Sequence, residues 1–430
     1  MNETVVLETK SNFLSHFSQA DYSFDKDFSR DKRSEALKSL ENLSFPTSKT
    51  EYWRFTRINK IIRGNYKIDF PSEVLDIDLS IPTKNYIVLI NGFYSKELSS
   101  FEAKKGLYFS SLSEAKEDED CKEIRKRFAT QSKDDQEIFS AINTAFHQDG
   151  AYIHLEKNAL VEEPIYIVHL INSDTAIANP RNLIIMEEGS QAKVVIKTIS
   201  TSKGTTFTNM LTEVFVDRRA MLELNKIQEE GDDDFQITNT EVIQESNSAF
   251  KINTFTLEGA LVRNNLNINL YGQHTETWLN GLYLLDKKQH VDNHTHVYHR
   301  EPNCVSHELY KGIMDDKSSG VFNGKVLVHK EAQKTNAYQS NSNMVLTDNA
   351  KINSKPELEI YADDVKCTHG STIGQLDDES LFYLQSRGLS KHMATAVLLN
   401  AFASDVLEHV SIEALKEELK AYIDEHYHGV

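Results

Sequence analysis

A cysteine and a histidine stand two residues apart late in the chain, where residues 363–374 read DDVKCTHGSTIG. Successive side chains alternate between the two faces of an extended strand, so Cys367 and His369 would share one face. A thiolate and an imidazole this close can bind a soft metal ion or sulfur together. The pair can also act as a nucleophile and its base, or be a buried cysteine beside a hydrogen-bonded histidine.

A second group of metal-binding residue types lies in residues 289–307, which read QHVDNHTHVYHREPNCVSH. Imidazole and thiolate are good ligands for zinc, iron and copper, but this spacing matches no standard zinc motif. Histidines on neighbouring strands can equally form stacked, hydrogen-bonded ladders or pack at a subunit interface. The weaker candidates for a metal or interface role are His290, His294, His296, His299 and Cys304.

Several motifs of enzymes are missing from the sequence. It has no G-x-x-x-x-G-K-[ST], no strand-bound G-x-G-x-x-G and no G-x-S-x-G, which argues against a P-loop ATPase, a Rossmann enzyme and a serine hydrolase. Without C-x-x-C or a set of four cysteines, the chain by itself cannot supply four thiolates to a cluster. Gly312, Gly320 and Gly324 are predicted to lie at corners between strands, not in a phosphate cradle.

The segment that carries these residues has a repeating β pattern. From about residue 150 to 359, short runs of apolar and polar alternation are separated by polar turns, which is typical of half-buried strands. A small residue recurs at intervals of 28, 29 and 26 residues, at Ala192, Ala220, Ala249 and Thr275. A constant period without helices indicates a parallel β-helix. A large antiparallel sandwich is the alternative, but no Asn-Gly or Asp-Gly hairpin signal supports it.

Both ends of the chain have helical patterns. Residues 1–145 are mixed and mostly helical, with a helix predicted over 34–43 and a strand over 86–94. Residues 377–430 form helices, with Asp377 or Asp378 as N-cap, Gly388 just past the first helix and Ser390 capping the next. These helices could cover the open end of a solenoid or dock a partner, and the sequence leaves both uses open.

Composition limits the range of functions. The chain has 430 residues, a net charge of −18 and three cysteines. Such an acidic chain disfavours binding to nucleic acid, and so few cysteines do not form a disulfide framework. The first residues lack the pattern of a secretory signal, and the apolar run ATAVLLNAFA is far shorter than the ~20 residues that span a bilayer. We therefore expect a cytoplasmic protein that does not bind membranes.

Long stretches of the sequence resemble the SufB/SufD family of the SUF iron–sulfur cluster assembly machinery. The match is nearly continuous from His290 to Gly388, including HVDNHTHVYHREPNCVSHELYKGIMDDKSSGVFNGKV and DDVKCTHGSTIGQLDDESLFYLQSRGL. Upstream, NTAFHQDGAYIHLEKNALVEEPIYIVHLIN resembles the start of the same core. The segment TEYWRFTRI resembles the family's N-terminal E-x-W-[KR]-[YF]-T element. The resemblance covers most of the chain.

The resemblance implies a mainly β fold with helical ends. It predicts a right-handed parallel β-helix core over residues 146–376, after an N-terminal domain over 1–145 and before a C-terminal helical domain over 377–430. It also implies a scaffold subunit that is not an enzyme, paired with SufB through the β-helix and docked to the SufC ATPase through the C-terminal helices. Candidate residues for SufC docking are Phe382, Leu398, Phe402, Val406, Leu415 and Leu419.

Within the family the chain is similar to the SufD branch, because it has no cysteine before Cys121 and its KHMATAVLLNAFASDVL text lacks the SufB form. The resemblance then implicates His369, with Cys367 beside it, in holding a transient iron–sulfur cluster at the SufB interface. It implies no tightly bound cofactor in the isolated chain and allows a reduced flavin in the complex and a homodimer without SufB. A purely structural brace is the alternative, and an exported β-helix polysaccharide lyase is a more distant one.

Overall fold

The computed structural model of the protein describes residues 3–18, 27–70, 79–119 and 121–428. Its helices are α1 (Glu3–Ser15), α2 (Asp27–Asn42), α3 (Asn59–Ile62), α4 (Leu112–Glu117), α5 (Lys122–Arg127), α6 (Ile138–Phe146), α7 (Asp378–Ser386), α8 (Lys391–Leu407) and α9 (Glu413–His428), with a 3₁₀ helix at Glu51–Trp53. Its strands are β1 (Tyr86–Ile90), β2 (Phe93–Ser100), β3 (Leu107–Ser111), β4 (Ala151–Leu155), β5 (Ile165–Ile171), β6 (Ile177–Ala178), β7 (Arg181–Met186), β8 (Gln191–Ser200), β9 (Phe207–Val216), β10 (Met221–Glu229), β11 (Phe235–Gln244), β12 (Ala249–Glu258), β13 (Leu261–Leu270), β14 (Glu276–Leu285), β15 (His290–His299), β16 (Val305–Met314), β17 (Ser319–Val328), β18 (Asn336–Val345), β19 (Lys351–Ile360) and β20 (Lys366–Gly374).

The strands wind into a parallel β-solenoid of about eight turns, which confirms the predicted mainly β fold. One sheet, here sheet 1, runs in the order β2-β1-β5-β8-β10-β12-β14-β16-β18-β20. The other, sheet 2, runs β19-β17-β15-β13-β11-β9-β7-β4-β3. From β4 onward each pairing within a sheet is parallel, because the chain crosses to the other sheet between successive strands of the same sheet. Both sheets reach back to β1 and β3, ahead of residue 146.

The repeat seen in the sequence corresponds to the turns of the solenoid. Paired first residues of successive strands in sheet 1 lie 27 to 31 residues apart, at Gln191, Met221, Ala249, Glu276, Val305, Asn336 and Lys366. Backbone hydrogen bonds between turns are therefore satisfied along most of the core. Apolar side chains from both sheets fill the interior, for example Leu224, Ile252 and Leu279 on successive turns.

The glycines predicted at corners lie instead inside strands, which corrects that expectation. Gly312 is in β16, and Gly320 and Gly324 are in β17. Each makes room for a large side chain in the interior: a methyl group added at Gly312 would overlap the ring of Tyr283. Because a strand glycine has no side chain to pack, its use here reflects the space needed by a neighbouring turn.

Helices cover the outer faces of both sheets. The N-terminal helices α1 to α3 and α6 pack on the outside of sheet 2, where Phe207, Phe235 and Leu261 join one apolar cluster with them. The C-terminal helices α8 and α9 pack on the outside of sheet 1. The predicted caps are confirmed: Asp377 accepts a hydrogen bond from the backbone N–H of Ser380, Ser390 accepts one from Met393, and Gly388 has φ +98°.

The C-terminal helices do not cover the last turn of the solenoid. Helix α8 lies against β14 and β16, where Lys311 Nζ donates to the carbonyl of Phe402 at 3.0 Å. Helix α7 has no buried residue, and every residue of β20 is exposed or half-buried. Of the two uses left open by the sequence, covering the open end is therefore not the one that α8 and α9 serve.

Candidate functional site

The candidate site lies at the uncovered end of the solenoid, on the last strand of sheet 1. Strand β20 pairs with β18 along one edge, and no strand among the described residues pairs with its other edge. Cys367 and His369 both lie on β20, where Cys367 is paired with Ala337 and His369 with Gln339. The extended conformation confirms that the two residues occupy alternate positions on one face of a strand.

Cys367 is half-buried beside the interior. Its side chain packs against an apolar cluster that contains Val326, Val328 and Ala337. Burial raises the pKa of the Cys367 thiol, and a hydrogen bond from the Ala337 backbone partly opposes that rise. The free chain therefore keeps a thiol at this position, which a bound metal ion would convert to the thiolate ligand.

His369 is exposed at the same end. Cys367 on one side and Ser371 on the other both contact interior residues: Ser371 Oγ lies 2.8 Å from Ser354 Oγ, and Ser354 Oγ donates to Asn341 Oδ1 at 2.7 Å. His369 thus stands in the row of side chains that faces the solenoid interior, at its mouth. An imidazole there can take a ligand from solution or from a partner that covers the end.

The run of histidines in β15 lies away from Cys367 and His369, in sheet 2. Three of these histidines point outward from that sheet. His290, His294 and His296 alternate with interior residues such as Val291 and Val297. Burial lowers the pKa of His290 and His294, and lowers that of His296 to about 3. These imidazoles are therefore neutral at physiological pH.

The N-terminal segment TEYWRFTRI packs on this histidine face. Thr56 Oγ1 lies 2.9 Å from His290 Nε2 and also donates to Asp292. The ring of Tyr52 meets those of His294 and His296 edge-on, at centroid distances of 6.0 and 5.5 Å. The two segments singled out in the sequence therefore form one intramolecular contact, in which these histidines pack against the N-terminal segment of the same chain.

Asp292 connects this contact to a buried cation. Its carboxylate accepts from Arg263 and lies 2.8 Å from His294 Nε2. Burial would raise the pKa of Asp292, but the neighbouring Arg263 guanidinium holds it well below the usual range. The Arg263 guanidinium stacks over Trp53 at 3.7 Å from the ring centroid. Arg263, Asp292 and the N-terminal segment stabilise one another.

The remaining two candidates of this run lie inside the solenoid. His299 is fully buried, with Nε2 2.9 Å from Ser306 Oγ, and burial lowers the pKa of His299 to about 3. Cys304 is also buried, and its Sγ donates to the carbonyl of Gly272 at 3.2 Å. Within the described ranges, no group of three or more His, Cys, Asp or Glu side chains is placed to hold a metal ion.

Two residues next to the site were not identified from the sequence. Gln339 and Glu308 lie on β18 and β16, paired in register with His369 and with each other. Both are buried in the interior, and burial raises the pKa of Glu308 to about 7. The signal that could have found them is the period of the solenoid, because Glu308, Gln339 and His369 follow one another at intervals of about 30 residues.

The six candidate docking residues of the C-terminal helices fall into two groups. Val406, Leu415 and Leu419 are buried against sheet 1, and Phe402 packs on the same cluster, so these four side chains hold the helices against the sheet. Phe382 is 73% exposed on α7, and Leu398 is half-exposed on α8. The apolar surface available to a partner is formed by Phe382, Tyr383, Met393, Val397 and Leu398, here called the α7–α8 surface.

The described helices include none that is both long and apolar enough to cross a lipid bilayer.

Comparison with known proteins places nearly the whole chain in one family. Residues 169–402 match the model of the SufBD core domain of SUF-system FeS cluster assembly, and residues 7–167 match the model of the SufBD N-terminal region. The chain is 31% identical to an iron–sulfur cluster assembly SufBD family protein of Synechocystis sp., over 90% of this chain and 89% of the relative. It is 27% identical to the iron–sulfur cluster assembly proteins SufD of Escherichia coli and of Bacillus subtilis, in each case over 91% of this chain and 92% of the relative.

These matches agree with the mainly β fold of the chain. The chain belongs to the SufBD family of iron–sulfur cluster assembly proteins.

Proposed function

We propose that this protein is a SufD-type scaffold that holds iron and sulfide at the open end of its solenoid and does not itself hydrolyse ATP. Membership of the SufBD family and full-length similarity to two SufD proteins support the proposal. The observation that carries it is the position of Cys367 and His369, which lie two residues apart on one face of β20, the uncovered last strand of sheet 1. A thiolate and a neutral imidazole together suit iron.

The proposed partner at this end is SufB, a paralogue with the same core. The free edge of β20 offers a row of backbone N–H and C=O groups that a strand of a second solenoid can continue. Such pairing would bury His369 and protect a nascent cluster from oxygen. Without SufB, a second copy of this chain would compete for the same edge.

The proposed partner of the C-terminal helices is the SufC ATPase. The α7–α8 surface exposes aromatic and aliphatic side chains, with Phe382 the most exposed of them. Residues of this kind anchor protein–protein interfaces. ATP binding to SufC would act by shifting the population of two arrangements of the SufB interface.

A purely structural brace is the second candidate function. His369 is exposed, and the described part of the chain contains no preformed set of three metal ligands. Under this alternative the open end pairs with SufB and the metal ligands all belong to SufB.

The variant His369→Ala distinguishes the two candidate functions. We would co-express the chain with SufB and SufC, purify the complex, reconstitute it anaerobically, and measure visible absorption together with iron and sulfide content. His274→Asn is the matched control, because it removes an exposed imidazole from a turn at φ +59°, a conformation that asparagine tolerates.

The scaffold with a direct metal contact predicts an intact complex that loses most of its cluster in His369→Ala and none in the control. A variant complex that fills with cluster as wild type does would leave only the brace. Failure of the wild-type chain to purify with SufB and SufC would refute the SufD-type assignment.

A further inference from the structure

The interior of the solenoid contains a row of polar side chains that ends at His369. Glu308, Gln339 and His369 are paired in register on β16, β18 and β20. Residues in register on neighbouring parallel strands are separated by about 4.8 Å and point to the same side. His369 lies on the last turn of the solenoid, and Glu308 and Gln339 are buried in the two turns that precede it.

Glu308 fixes the orientation of the Gln339 amide. Gln339 Nε2 donates to Glu308 Oε2 at 2.7 Å, and Thr295 Oγ1 donates to Glu308 Oε1 at 2.5 Å. In its ionised form the Glu308 carboxylate only accepts hydrogen bonds, so it selects the nitrogen side of the amide. Because the amide oxygen and nitrogen lie on opposite sides of a planar group, holding the nitrogen also sets the direction of the oxygen.

The amide oxygen of Gln339 is left without a partner. Gln339 Oε1 is fully buried and accepts no hydrogen bond from any described residue. Leaving a buried acceptor unpaired costs about 1–3 kcal/mol, so such a group needs an explanation. The next turn on this row offers one side chain with an N–H, and that side chain is His369.

A glycine on the opposite sheet makes this arrangement fit. Gly324 on β17 faces Gln339 across the interior, and a methyl group added there would overlap Gln339 Nε2. The space that Gly324 leaves is filled by the amide that Glu308 holds. The arrangement therefore involves three strands from both sheets.

We propose that Gln339 is a positioning residue for His369: its amide oxygen, oriented by Glu308, accepts the ring N–H of His369 and leaves the other ring nitrogen free to bind a metal ion. The inference rests on the proposed function, since it assigns a use to that nitrogen. Histidine ligands commonly donate their second ring N–H in this way, which fixes the tautomer and ring orientation. In the uncovered chain His369 is exposed, so the contact forms as the imidazole turns inward to take its ligand.

The test uses Co²⁺ as the probe of Cys367 and His369 in the full-length reduced chain. The thiolate-to-cobalt absorption band is titrated in wild type, His369→Ala, Gln339→Leu and Gly324→Ala. We expect His369→Ala to abolish binding of Co²⁺ at this site, and Gln339→Leu and Gly324→Ala each to weaken it about tenfold, as loss of a hydrogen bond behind a ligand does. Gln339→Glu keeps an acceptor oxygen but loses the N–H that donates to Glu308, so it should not restore the affinity.

Asn343→Leu is the matched control for damage to the end of the solenoid. Asn343 also lies on β18, faces the interior and is buried, but it is paired with Ile373 instead of His369. The Co²⁺ affinity of the Asn343→Leu variant should stay within about twofold of wild type. Should Gln339→Leu fail to fold, Gly324→Ala tests the same hydrogen bond from another strand.

A second measurement reports the tautomer directly. The chain is labelled with ring-¹⁵N histidine and loaded with Zn²⁺, and the His369 signals are identified by their loss in His369→Asn. Wild type should show a single tautomer with an N–H protected from exchange, and Gln339→Leu should lose that protection. A role in packing alone would not change this signal.

The inference is overturned if Gln339→Leu and Gly324→Ala bind Co²⁺ like wild type, or if wild-type binding does not depend on His369. Cluster assembly in His369→Ala is scored separately. If assembly survives while Gln339→Leu still weakens Co²⁺ binding, the proposed function fails and the link between Gln339 and His369 stands.

Discussion

At the scale of single residues, the mostly apolar interior of the solenoid contains buried polar groups near its open end. Glu308 is buried among Thr295, Gln339 and apolar side chains, with no cation among its hydrogen-bond partners. Burial disfavours the charged carboxylate and raises the pKa of Glu308 from 4.5 to about 7, while the two hydrogen bonds limit the rise. The carboxyl group is thus close to half-ionised at neutral pH.

Glu308 should make the stability of the protein depend on pH. A raised pKa in the folded state contributes stability below about pH 4.5, and that contribution is lost as pH rises to about 7, by about 3 kcal/mol in total. Glu308→Gln removes this titration. We therefore expect the melting temperature of the variant, relative to wild type, to rise between pH 5 and pH 8 in thermal unfolding monitored by circular dichroism.

Glu417→Gln controls for the loss of one negative charge from an exposed position on α9. A difference between Glu308→Gln and wild type that is the same at pH 5 and pH 8 would contradict the raised pKa of Glu308.

Gly312 shows how one absent side chain shapes the interior. A methyl group at Gly312 would overlap the ring of Tyr283, whose hydroxyl donates to Asn343 Oδ1 at 2.5 Å. Overpacking of this kind typically costs about 1–3 kcal/mol, so Gly312→Ala should lower the free energy of unfolding by that amount in urea titration. Gly374→Ala is the control, because nothing lies within 4 Å of its added methyl group. Equal stability of the two variants would contradict the overlap.

At the scale of elements, the C-terminal helices have an inner and an outer role. Leu415 is buried against sheet 1, and Phe382 on α7 is 73% exposed. We expect Leu415→Ala to cost about 2–5 kcal/mol of stability, since it leaves a cavity under α9. Phe382→Ala should leave the melting temperature within about 2 °C of wild type, because surface substitutions usually change stability by under 0.5 kcal/mol.

For binding to SufC, we expect Phe382→Ala to have the larger effect. In pull-down and calorimetry with SufC, Phe382→Ala is expected to weaken binding at least tenfold, since an exposed aromatic is a typical interface anchor. Unchanged SufC affinity in Phe382→Ala would remove the α7–α8 surface from the proposed docking site.

A fully buried ion pair between β7 and β9 holds residues ahead of the solenoid through hydrogen bonds. Arg181 Nη2 lies 2.8 Å from Glu213 Oε2, and Arg181 Nη1 donates to Thr144 Oγ1 on α6 at 2.8 Å. Glu213 also accepts from the backbone N–H of Ala129 and Gln131. Such a pair fixes the position of α6 on β7 and β9 more than it adds net stability.

At the scale of the whole molecule, the solenoid is closed along its sides and open at one end. Helices cover both sheets, and the last turn leaves β20 with a free edge and with Ile373 57% exposed. An uncovered edge strand is a template for pairing with another chain, and Lys366 is the only Lys, Arg, Asp or Glu on β20. Most proteins block such edges, so the open edge of β20 supports the proposed interface.

A charge at this edge should prevent pairing. We expect Ile373→Lys to weaken both self-association of the isolated chain and binding to SufB by tenfold or more, because an inward-pointing lysine would have to be buried on pairing. Analytical ultracentrifugation measures the first effect, and co-purification measures the second. Tyr271→Lys, also exposed but in a turn far from this edge in sequence, should change neither. If Ile373→Lys assembles as wild type does, the interface lies elsewhere on the molecule.

The sequence by itself determined the repeat, the helix caps and the family. These depend on neighbours in the chain: alternation within a strand, the side-chain oxygens of Asp377 and Ser390 at helix starts, and the nearly continuous match from His290 to Gly388. It also placed Cys367 and His369 on one face, because that follows from the strand period alone.

Only the tertiary structure decided which contacts join turns that are far apart in the chain. It put Thr56 against His290 and Asp292, placed Gly312 under Tyr283, turned Val406 and Leu419 toward sheet 1, and left β20 uncovered. It also brought Glu308 and Gln339 into the row that ends at His369. Spacing within one segment cannot predict these contacts, because they depend on the register between turns about 30 residues apart and on the face of each sheet that the helices cover.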